Sequence, residues 1–245
     1  MCYHKAQRLT SAEVAEYYRV KFNNAMFESY IPQHHENGFD FKEGPIVAAG
    51  RPDELSLMHW GLVPWWVKSS QEAFRLRVST LNCISEEMYD KPSFRDAAKE
   101  NKRCLIPCSG FYEWRWMDAK GKLKIPYYVF LKDQATFSIA GLYASWKDKS
   151  NDTYYNSYTV CTTKANSLME KIHNSKKRMP VIIPREYERD WLNSNLNEDD
   201  VLALCQPLDS NLMDAYTISK RITQKGIDTN FPEIASPQVY AEVTD

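Results

Sequence analysis

A run of short strand-like segments between residues 103 and 163 is the feature that most constrains the fold. The segments are RCLIPCSG, GFYEWRW, PYYVFLK, FSIAGLYASW and YNSYTVCTT, and PVIIP and AYTISK follow later. Side chains alternate in FYEWRW, so that one face carries Phe111, Glu113 and Arg115 and the other carries Tyr112, Trp114 and Trp116. MDAKGK and KDKSNDT have the composition of hairpin turns. Successive hairpins predict an antiparallel sheet or a closed barrel.

Helical spacing of apolar residues recurs in five segments, which are residues 11–30, 91–102, 163–174, 185–194 and 197–205. Thr10 or Ser11 is suited to cap the first helix, and Ser93 and Asp96 have capping-box spacing in the second. Residues 75–81, RLRVSTL, are strand-like. No repeat, linker or low-complexity stretch divides the chain. We therefore predict one α+β domain over residues 1–245, with peripheral helices around a central antiparallel, barrel-like β-sheet.

Composition excludes several classes of protein. The 245 residues are 43% hydrophobic and 13% aromatic, which is too apolar for a disordered chain. Apolar stretches such as YYVFL are far too short to cross a bilayer, and the N-terminus has no apolar signal segment. We therefore expect a cytoplasmic protein without a membrane partner.

The cysteines do not have the spacing of a metal site. The chain has six cysteines and no CxxC motif, and in a cytoplasmic protein we expect them to be reduced. Cys104 and Cys108 would lie about 13 Å apart along a strand, too far to share one zinc ion. We predict neither a metal site nor a cofactor.

Charge is unevenly distributed along the chain. The formal net charge is −1, but residues 186–214 contain eight acidic residues and one basic residue, a net charge of −7 that leaves +6 on the remainder. A basic face can therefore coexist with an acidic one, and the net charge does not exclude a nucleic-acid partner.

Cys2 directly follows the start methionine. Removal of Met1 would give Cys2 an α-amine and a thiol on adjacent carbons, a pair of nucleophiles that no internal residue offers. The alternative is that one of six cysteines stands there by chance. Asn82, after the strand-like segment, has an amide that can hold an anion, an amine or a backbone group.

Two titratable residues are candidates for proton transfer. Glu113 lies between large aromatic residues on a predicted central strand, where burial raises a carboxyl pKa towards neutrality. The alternative is a glutamate at a strand edge that pairs with Arg115 or a lysine. His173 follows the apolar face of a predicted helix and can move protons near neutral pH. Its alternative is an ordinary histidine at the end of a helix.

Two further stretches are suited to contact a nucleic acid. In PWWVK, the adjacent Trp65 and Trp66 can form a base-stacking wedge, or one can be a core residue and the other a rim residue. Residues 176–178, KKR, can contact phosphates or form a solvated loop.

Several motifs occur together in one order: MC at the start, WGLVPWW, TLN followed by KPSFR, RCLIPCSGFYEW, and IHNSKKRMPVIIP. In this combination the chain resembles the SOS-response-associated peptidase (SRAP) family, whose members crosslink to abasic sites in single-stranded DNA. The resemblance extends roughly over residues 2–220 and leaves residues 221–245 as a C-terminal extension.

The resemblance implies a covalent reaction at Cys2. Its α-amine would condense with the aldehyde of a ring-opened abasic site, and its thiol would close a thiazolidine ring. Asn82 would position the amine or the sugar, Glu113 would act as general acid and base, and His173 would move protons at the ring oxygen and assist reversal or strand cleavage. The family name further implies self-processing that exposes Cys2. The expected partner is single-stranded DNA with abasic sites, to which a prokaryotic protein would bind at the nucleoid, and we expect a monomer.

The resemblance also implies DNA contacts, for which the candidates are His4, Trp65, Trp66, Arg75, Arg77, Lys176, Lys177 and Arg178. The sequence departs from the family here, because Tyr3 and His4 replace the usual Gly-Arg after Cys2. Asn82-Cys83-Ile84 likewise replaces the usual Asn-Ala-Arg. A largely neutral histidine binds phosphate less strongly than arginine does.

Two other functions remain open from the residues. One is a cysteine hydrolase acting on peptides, with Cys2 as nucleophile and His173 as base. The other is a non-catalytic module for single-stranded DNA that has lost activity through its departures from the family pattern.

Overall fold

The computed structural model describes residues 2–243, and Met1 and residues 244–245 of the predicted domain lie outside the described part. The strands are β1 (His4–Gln7), β2 (Gln33–Asn37), β3 (Glu43–Ala48), β4 (Leu55–Trp60), β5 (Asn82–Ile84), β6 (Arg103–Cys108), β7 (Gly110–Trp116), β8 (Lys124–Leu131), β9 (Phe137–Asp148), β10 (Thr153–Lys164), β11 (Arg178–Pro180), β12 (Ile182–Ile183) and β13 (Met213–Thr217). The helices are α1 (Ser11–Tyr18), α2 (Ser70–Leu76), α3 (Arg95–Lys99), α4 (Ser167–Ile172), α5 (Glu188–Leu192) and α6 (Glu198–Ala203).

Five of the strands close into a barrel. β4, β3, β6, β9 and β10 pair antiparallel in that order, and a parallel pairing of β10 with β4 completes the ring. Gly141 of β9 allows close contact with the neighbouring strand β10, since a Cβ atom there would be 2.7 Å from the Thr159 carbonyl oxygen. The predicted single α+β domain with a barrel-like antiparallel sheet is confirmed.

A second sheet lies beside the barrel, with the strand order β13-β8-β7-β1-β2. The N-terminal strand β1 is inserted between β7 and β2, with Lys5 opposite Phe111. This insertion carries Cys2 into a core cluster that it shares with Phe111 and with barrel residues such as Ile46 and Ile106. Cys2 is therefore built into the centre of the fold.

The first helix is shorter than its apolar pattern predicts. The Thr10–Glu13 capping box forms as expected, but Arg19 adopts a left-handed conformation with φ of 56° and ends α1 at Tyr18. The prediction of a helix over residues 11–30 is therefore correct only in its first part.

One other local prediction is wrong, and another is correct only in its central part. Residues 75–81 do not form a strand. Arg75 and Leu76 are the last residues of α2, which begins after the Ser69 cap and buries Ala73, and a turn follows the helix. Arg75 therefore lies in the last turn of a helix and Arg77 is its C-cap residue, although their alternation with apolar residues resembles that of a strand. In the predicted helix 91–102, only α3 is α-helical, and Phe94 stands at its N-cap without a side-chain hydrogen bond.

No helix among residues 2–243 is long and apolar enough to cross a membrane.

Candidate active site

A cavity of about 390 Å³ opens at one end of the second sheet, where β1, β7 and the loop after α4 meet. Its lining residues are Tyr3, His4, Glu113, Trp114, Trp116, Lys124, His173, Ser175, Lys176 and Thr223. Two of the four predicted catalytic residues, Glu113 and His173, line this cavity.

Glu113 lies on β7 opposite Tyr127 of β8, and only 5% of its surface is exposed. Its Oε1 atom is buried and has no hydrogen-bond partner among the described residues. Burial raises the pKa of the Glu113 carboxyl to about 8, so the group is mostly protonated at neutral pH. The alternative of a glutamate at a strand edge does not fit, because β7 lies between β8 and β1 in the sheet.

His173 stands directly after α4, whose first turn is capped by Asn166. Its Nδ1 atom lies 2.8 Å from the carbonyl oxygen of Arg178, which can only accept, so Nδ1 carries the hydrogen. Burial lowers the pKa of His173 to about 4, which makes the imidazole neutral at pH 7 and leaves the lone pair on Nε2. The histidine is therefore held as a neutral ring whose acceptor nitrogen is Nε2.

Asn174 ties this loop to the end of β7. Its amide donates to the carbonyl oxygen of Trp116 at 2.8 Å and accepts from the Trp116 backbone N–H at 3.0 Å. The pair of bonds fixes the segment after α4 against the strand that carries Glu113. As a result, Glu113 Oε1 and His173 Nδ1 lie 3.8 Å apart.

Tyr3 and His4 line this cavity, whereas Cys2 before them is fully buried and does not. Its thiol points to the carbonyl oxygen of His4, with a distance of 3.7 Å from Sγ. Burial, and then the carboxyl of Glu113, raise the thiol pKa well above its usual range. The thiol is therefore protonated at neutral pH.

Asn82 begins β5, where it pairs in parallel with Val160 of β10. The residue is 7% exposed, and neither its amide oxygen nor its amide nitrogen has a hydrogen-bond partner within residues 2–243. A buried amide without partners costs about 1–3 kcal/mol per unsatisfied group, so this side chain is suited to receive a ligand. Asn82 does not line the cavity that Glu113 and His173 share.

The two adjacent tryptophans have different environments. Trp65 is 63% exposed, and its indole nitrogen donates to Asp96 at 2.9 Å. Trp66 is half-buried and packs against the small cluster formed by Val63, Val67 and Trp146. This is the arrangement of one rim residue and one core residue that the sequence left open.

The basic candidates are also divided between free and committed side chains. Arg75, Lys176 and Lys177 are exposed. Arg77 lies 3.9 Å from the ring centroid of Phe41 and donates to the hydroxyl of Tyr155 at 3.0 Å. Only the exposed cations can meet a phosphate without first breaking a contact of this kind.

Arg178 is committed to a bidentate contact. Its guanidinium donates to both carboxylate oxygens of Glu86 at 2.8 and 2.7 Å, and to the carbonyl oxygen of Thr162 at 2.6 Å. His4 is also partnered, since its Nδ1 lies 2.9 Å from Nε2 of His35. Both side chains have a structural contact in addition to the predicted role at DNA.

Sequence reasoning missed most of the cavity wall. Trp116 lies opposite Lys124 across the β7–β8 hairpin, and the Lys124 ammonium is 4.9 Å from the Trp116 ring centroid. The turn sequence MDAKGK could have predicted this contact, because a hairpin turn there pairs Trp116 with Lys124. No local signal marks Thr223, since it comes from a distant part of the chain.

Among residues 2–243, no group of three or more histidine, cysteine, aspartate or glutamate side chains is arranged to hold a metal ion.

The family model described as SOS response associated peptidase (SRAP) matches residues 1–225. The chain is 37% identical over 195 residues to the abasic site processing protein YoqW of Bacillus subtilis (strain 168), an alignment that covers 79% of each chain. It is 29% identical over 175 residues to the abasic site processing protein HMCES of Xenopus tropicalis, which covers 64% of this chain and 50% of that one.

Two solved structures share the fold. A protein from Bacteroides thetaiotaomicron superposes with a TM-score of 0.90 at 35% identity, over 97% of this chain and 100% of that chain. A protein from Bordetella bronchiseptica gives a TM-score of 0.75 at 24% identity, over 89% of this chain and 100% of that chain, and this second likeness concerns the fold alone.

Proposed function

Because this chain belongs to the SOS response associated peptidase (SRAP) family, we propose that it processes abasic sites in DNA. Two of its relatives carry the name abasic site processing protein. The observation that carries the proposal is the shared cavity: Glu113 and His173 line it 3.8 Å apart, and Tyr3 and His4, which directly follow Cys2, line it as well.

The proposed reaction joins Cys2 to the lesion. An abasic sugar in its open form has an aldehyde at C1′, which the α-amine of Cys2 attacks to give a carbinolamine. Loss of water gives an imine, and addition of the thiol S–H across the C=N bond closes a five-membered thiazolidine. The whole sequence consumes one aldehyde and releases one water. Ring closure is intramolecular, which favours it strongly.

Glu113 has a pKa near the operating pH of a proton-transfer group, and His173 offers a neutral nitrogen beside it. The protonated carboxyl of Glu113 donates to the sugar ring oxygen as it opens and to the hydroxyl that leaves the carbinolamine. The neutral His173 accepts protons at Nε2. Asn82, whose amide has no hydrogen-bond partner in the described part of the chain, holds the lesion or the amine. The same groups, acting in reverse or on the imine, would support crosslink reversal and lyase-type strand cleavage.

The proposal requires that Cys2 become the N-terminal residue, by self-processing or by an aminopeptidase. Single-stranded DNA is the proposed partner, since Lys176 at the cavity and the exposed Lys177 and Trp65 offer phosphate and base contacts that do not need a duplex.

The test is incubation of the purified protein with a single-stranded oligonucleotide that contains one abasic site, read by denaturing gel and intact mass. We expect loss of the Met1 residue mass and a covalent adduct with the mass of protein plus DNA minus one water. Cys2→Ala should give no stable adduct, whereas Cys2→Ser should give an imine that borohydride traps. Cys205→Ala is the matched control, because Cys205 is buried elsewhere.

An equal yield of stable adduct from Cys2→Ala would contradict the reaction. Equal affinity for abasic and intact strands, with no adduct, would instead support a non-catalytic DNA-binding module. Peptide turnover without DNA would support a cysteine hydrolase, although the raised pKa of the Cys2 thiol is the opposite of what such a nucleophile requires.

A further inference from the structure

Three side chains form a hydrogen-bonded line that ends at the cavity. Nδ1 of His4 lies 2.9 Å from Nε2 of His35, and Nδ1 of His35 lies 2.6 Å from the hydroxyl of Thr229. His4 begins β1 and lines the cavity, His35 lies in the neighbouring strand β2, and Thr229 belongs to the C-terminal segment. None of these contacts is needed for the proposed roles of Glu113 and His173.

Aromatic packing fixes the two imidazole rings. They stack on each other with centroids 5.1 Å apart and planes inclined by 13°. Trp114 contacts His4 edge-on at 4.7 Å, and Tyr112 contacts His35 edge-on at 5.2 Å. Because Nδ1 of His4 contacts His35, Nε2 is the ring nitrogen of His4 that remains for a ligand in the cavity.

The C-terminal segment is anchored beside this line. The backbone N–H of His34 donates to the side chain of Asn230 at 2.6 Å, and the amide of Asn230 donates to the carbonyl oxygen of Pro32 at 3.3 Å. Thr229 is therefore held next to β2 by its neighbour. It also lies beyond residues 1–225, the part of the chain that the family model matches.

Both rings are neutral at physiological pH. Burial lowers the pKa of His4 to about 3 and the pKa of His35 to about 4, and the nearby charge of Lys42 acts on His35 in the same direction. Each ring therefore carries one hydrogen, and a single hydrogen lies between them. The line can hold its hydrogens in two arrangements, with Nε2 of His4 either an acceptor or a donor.

We propose that His4, His35 and Thr229 form a proton relay between the cavity and solvent. When Nε2 of His4 accepts a proton, Nδ1 of His4 passes one to Nε2 of His35. Nδ1 of His35 then passes one to the Thr229 oxygen, whose own hydroxyl proton leaves to water. The reverse sequence delivers a proton. No ring carries a net charge before or after transfer, which suits a buried site.

The relay rests on the proposed function, because it serves the ring opening and dehydration that lead to the crosslink. Those steps move protons in both directions, and Glu113 supplies only one at a time. In this arrangement His4 meets the sugar as a neutral donor and acceptor. That role differs from the phosphate contact expected from the sequence.

Single-turnover formation of the adduct, followed against DNA concentration, tests the relay. Thr229→Val removes the outer hydroxyl with little change of shape. We expect the maximal rate to fall about tenfold, a modest share of what proton-transfer groups contribute, with half-saturation by DNA unchanged. Thr229→Ser keeps the hydroxyl and should restore the rate.

Thr217→Val is the matched control. The hydroxyl of Thr217 also holds the C-terminal segment, through the carbonyl oxygen of Gln238 at 2.6 Å, but it touches neither histidine. An equal loss in Thr217→Val and Thr229→Val would show that anchoring of the segment is responsible, and would overturn the relay. So would a Thr229→Val protein with the wild-type rate.

A solvent isotope measurement adds a second test, because loss of anchoring of the C-terminal segment would not change how the rate depends on deuterium content. The wild-type rate should depend on deuterium fraction with the curvature of several protons in motion, and Thr229→Val should lose that curvature. A linear dependence in the wild type would contradict the relay. Absence of any adduct in the wild type would instead refute the proposed function.

Discussion

The Oε1 atom of Glu113 and the Nδ1 atom of His173 lie 3.8 Å apart, and burial shifts the pKa values of the two groups in opposite directions. The carboxyl pKa rises to about 8 and the imidazole pKa falls to about 4. This reverses the usual order of the two groups, so at neutral pH the pair is a carboxylic acid beside a neutral imidazole. A proton donor and a proton acceptor thus coexist at one pH.

The first prediction concerns the pH profile of adduct formation. The rate should rise as the α-amine of Cys2 loses its proton and fall above about pH 8, because Glu113 then has no proton to donate. Glu113→Gln should lose the falling limb and react about 100-fold more slowly at its optimum. Single-turnover rates between pH 5 and 10 measure both effects, and a falling limb that persists in the variant would contradict the assignment.

The second prediction concerns stability. The folded-state pKa of Glu113, about 8, lies above its ordinary value of 4.5, so the native protein binds more protons than the unfolded chain between these values. The free energy of unfolding should therefore decrease as the pH rises through that window. Glu113→Gln should be more stable than the wild type at pH 9 by roughly 5 kcal/mol, the equivalent of the shift from 4.5 to about 8, and nearly equal at pH 4.

Urea denaturation at the two pH values measures this difference. Glu186→Gln makes the same change of charge at an exposed position and should give no such dependence on pH. A wild-type protein as stable as Glu113→Gln at pH 9 would show that the carboxyl ionises without cost.

The strands were predictable from sequence because side-chain alternation is a local property. Phe111 and Tyr112 indeed enter different core clusters on the two faces of β7. Barrel closure was not predictable in detail, since the parallel pair of Ser157 with His59 joins residues far apart in sequence. The failure at residues 75–81 has a local cause: the Ser69 cap starts a helix that the alternation conceals.

The site was predictable residue by residue but not as a geometry. Glu113 and His173 each have chemistry that draws attention, but their proximity depends on the bond between Asn174 and Trp116. Thr229 has no sequence signal at all, because a threonine in a polar segment is ordinary. Its position becomes informative only when it is seen beside His35.

The third prediction concerns the buried ion pair between Lys5 of β1 and Glu36 of β2, whose side chains are 1% and 2% exposed. Lys5→Met should lower the free energy of unfolding by about 3–5 kcal/mol, because Glu36 is then a buried charge without its partner. Replacing Glu36 by Leu as well should recover much of that loss. Lys91→Met, which breaks an exposed pair with Glu87, should cost no more than about 0.5 kcal/mol.

Thermal and urea denaturation of the four proteins provide the measurement. A loss in Lys5→Met no larger than that in Lys91→Met would mean that the N-terminal strand does not depend on this pair.

The last prediction separates three adjacent cations by their contacts. Lys176 and Lys177 are exposed, whereas Arg178 is held by Glu86 and Thr162. Replacing both lysines by alanine should weaken DNA binding and reduce the salt slope of log K by about 1.4, since each phosphate contact on a single strand contributes about 0.7. The rate at saturating DNA should stay the same. Arg178→Ala should instead lower the free energy of unfolding by about 1 kcal/mol and leave the salt slope unchanged.

Fluorescence anisotropy over a range of salt concentrations measures the slopes. Lys21→Ala, at another exposed lysine, is the control. If Arg178→Ala reduces the slope as the lysine variant does, Arg178 leaves Glu86 to bind phosphate.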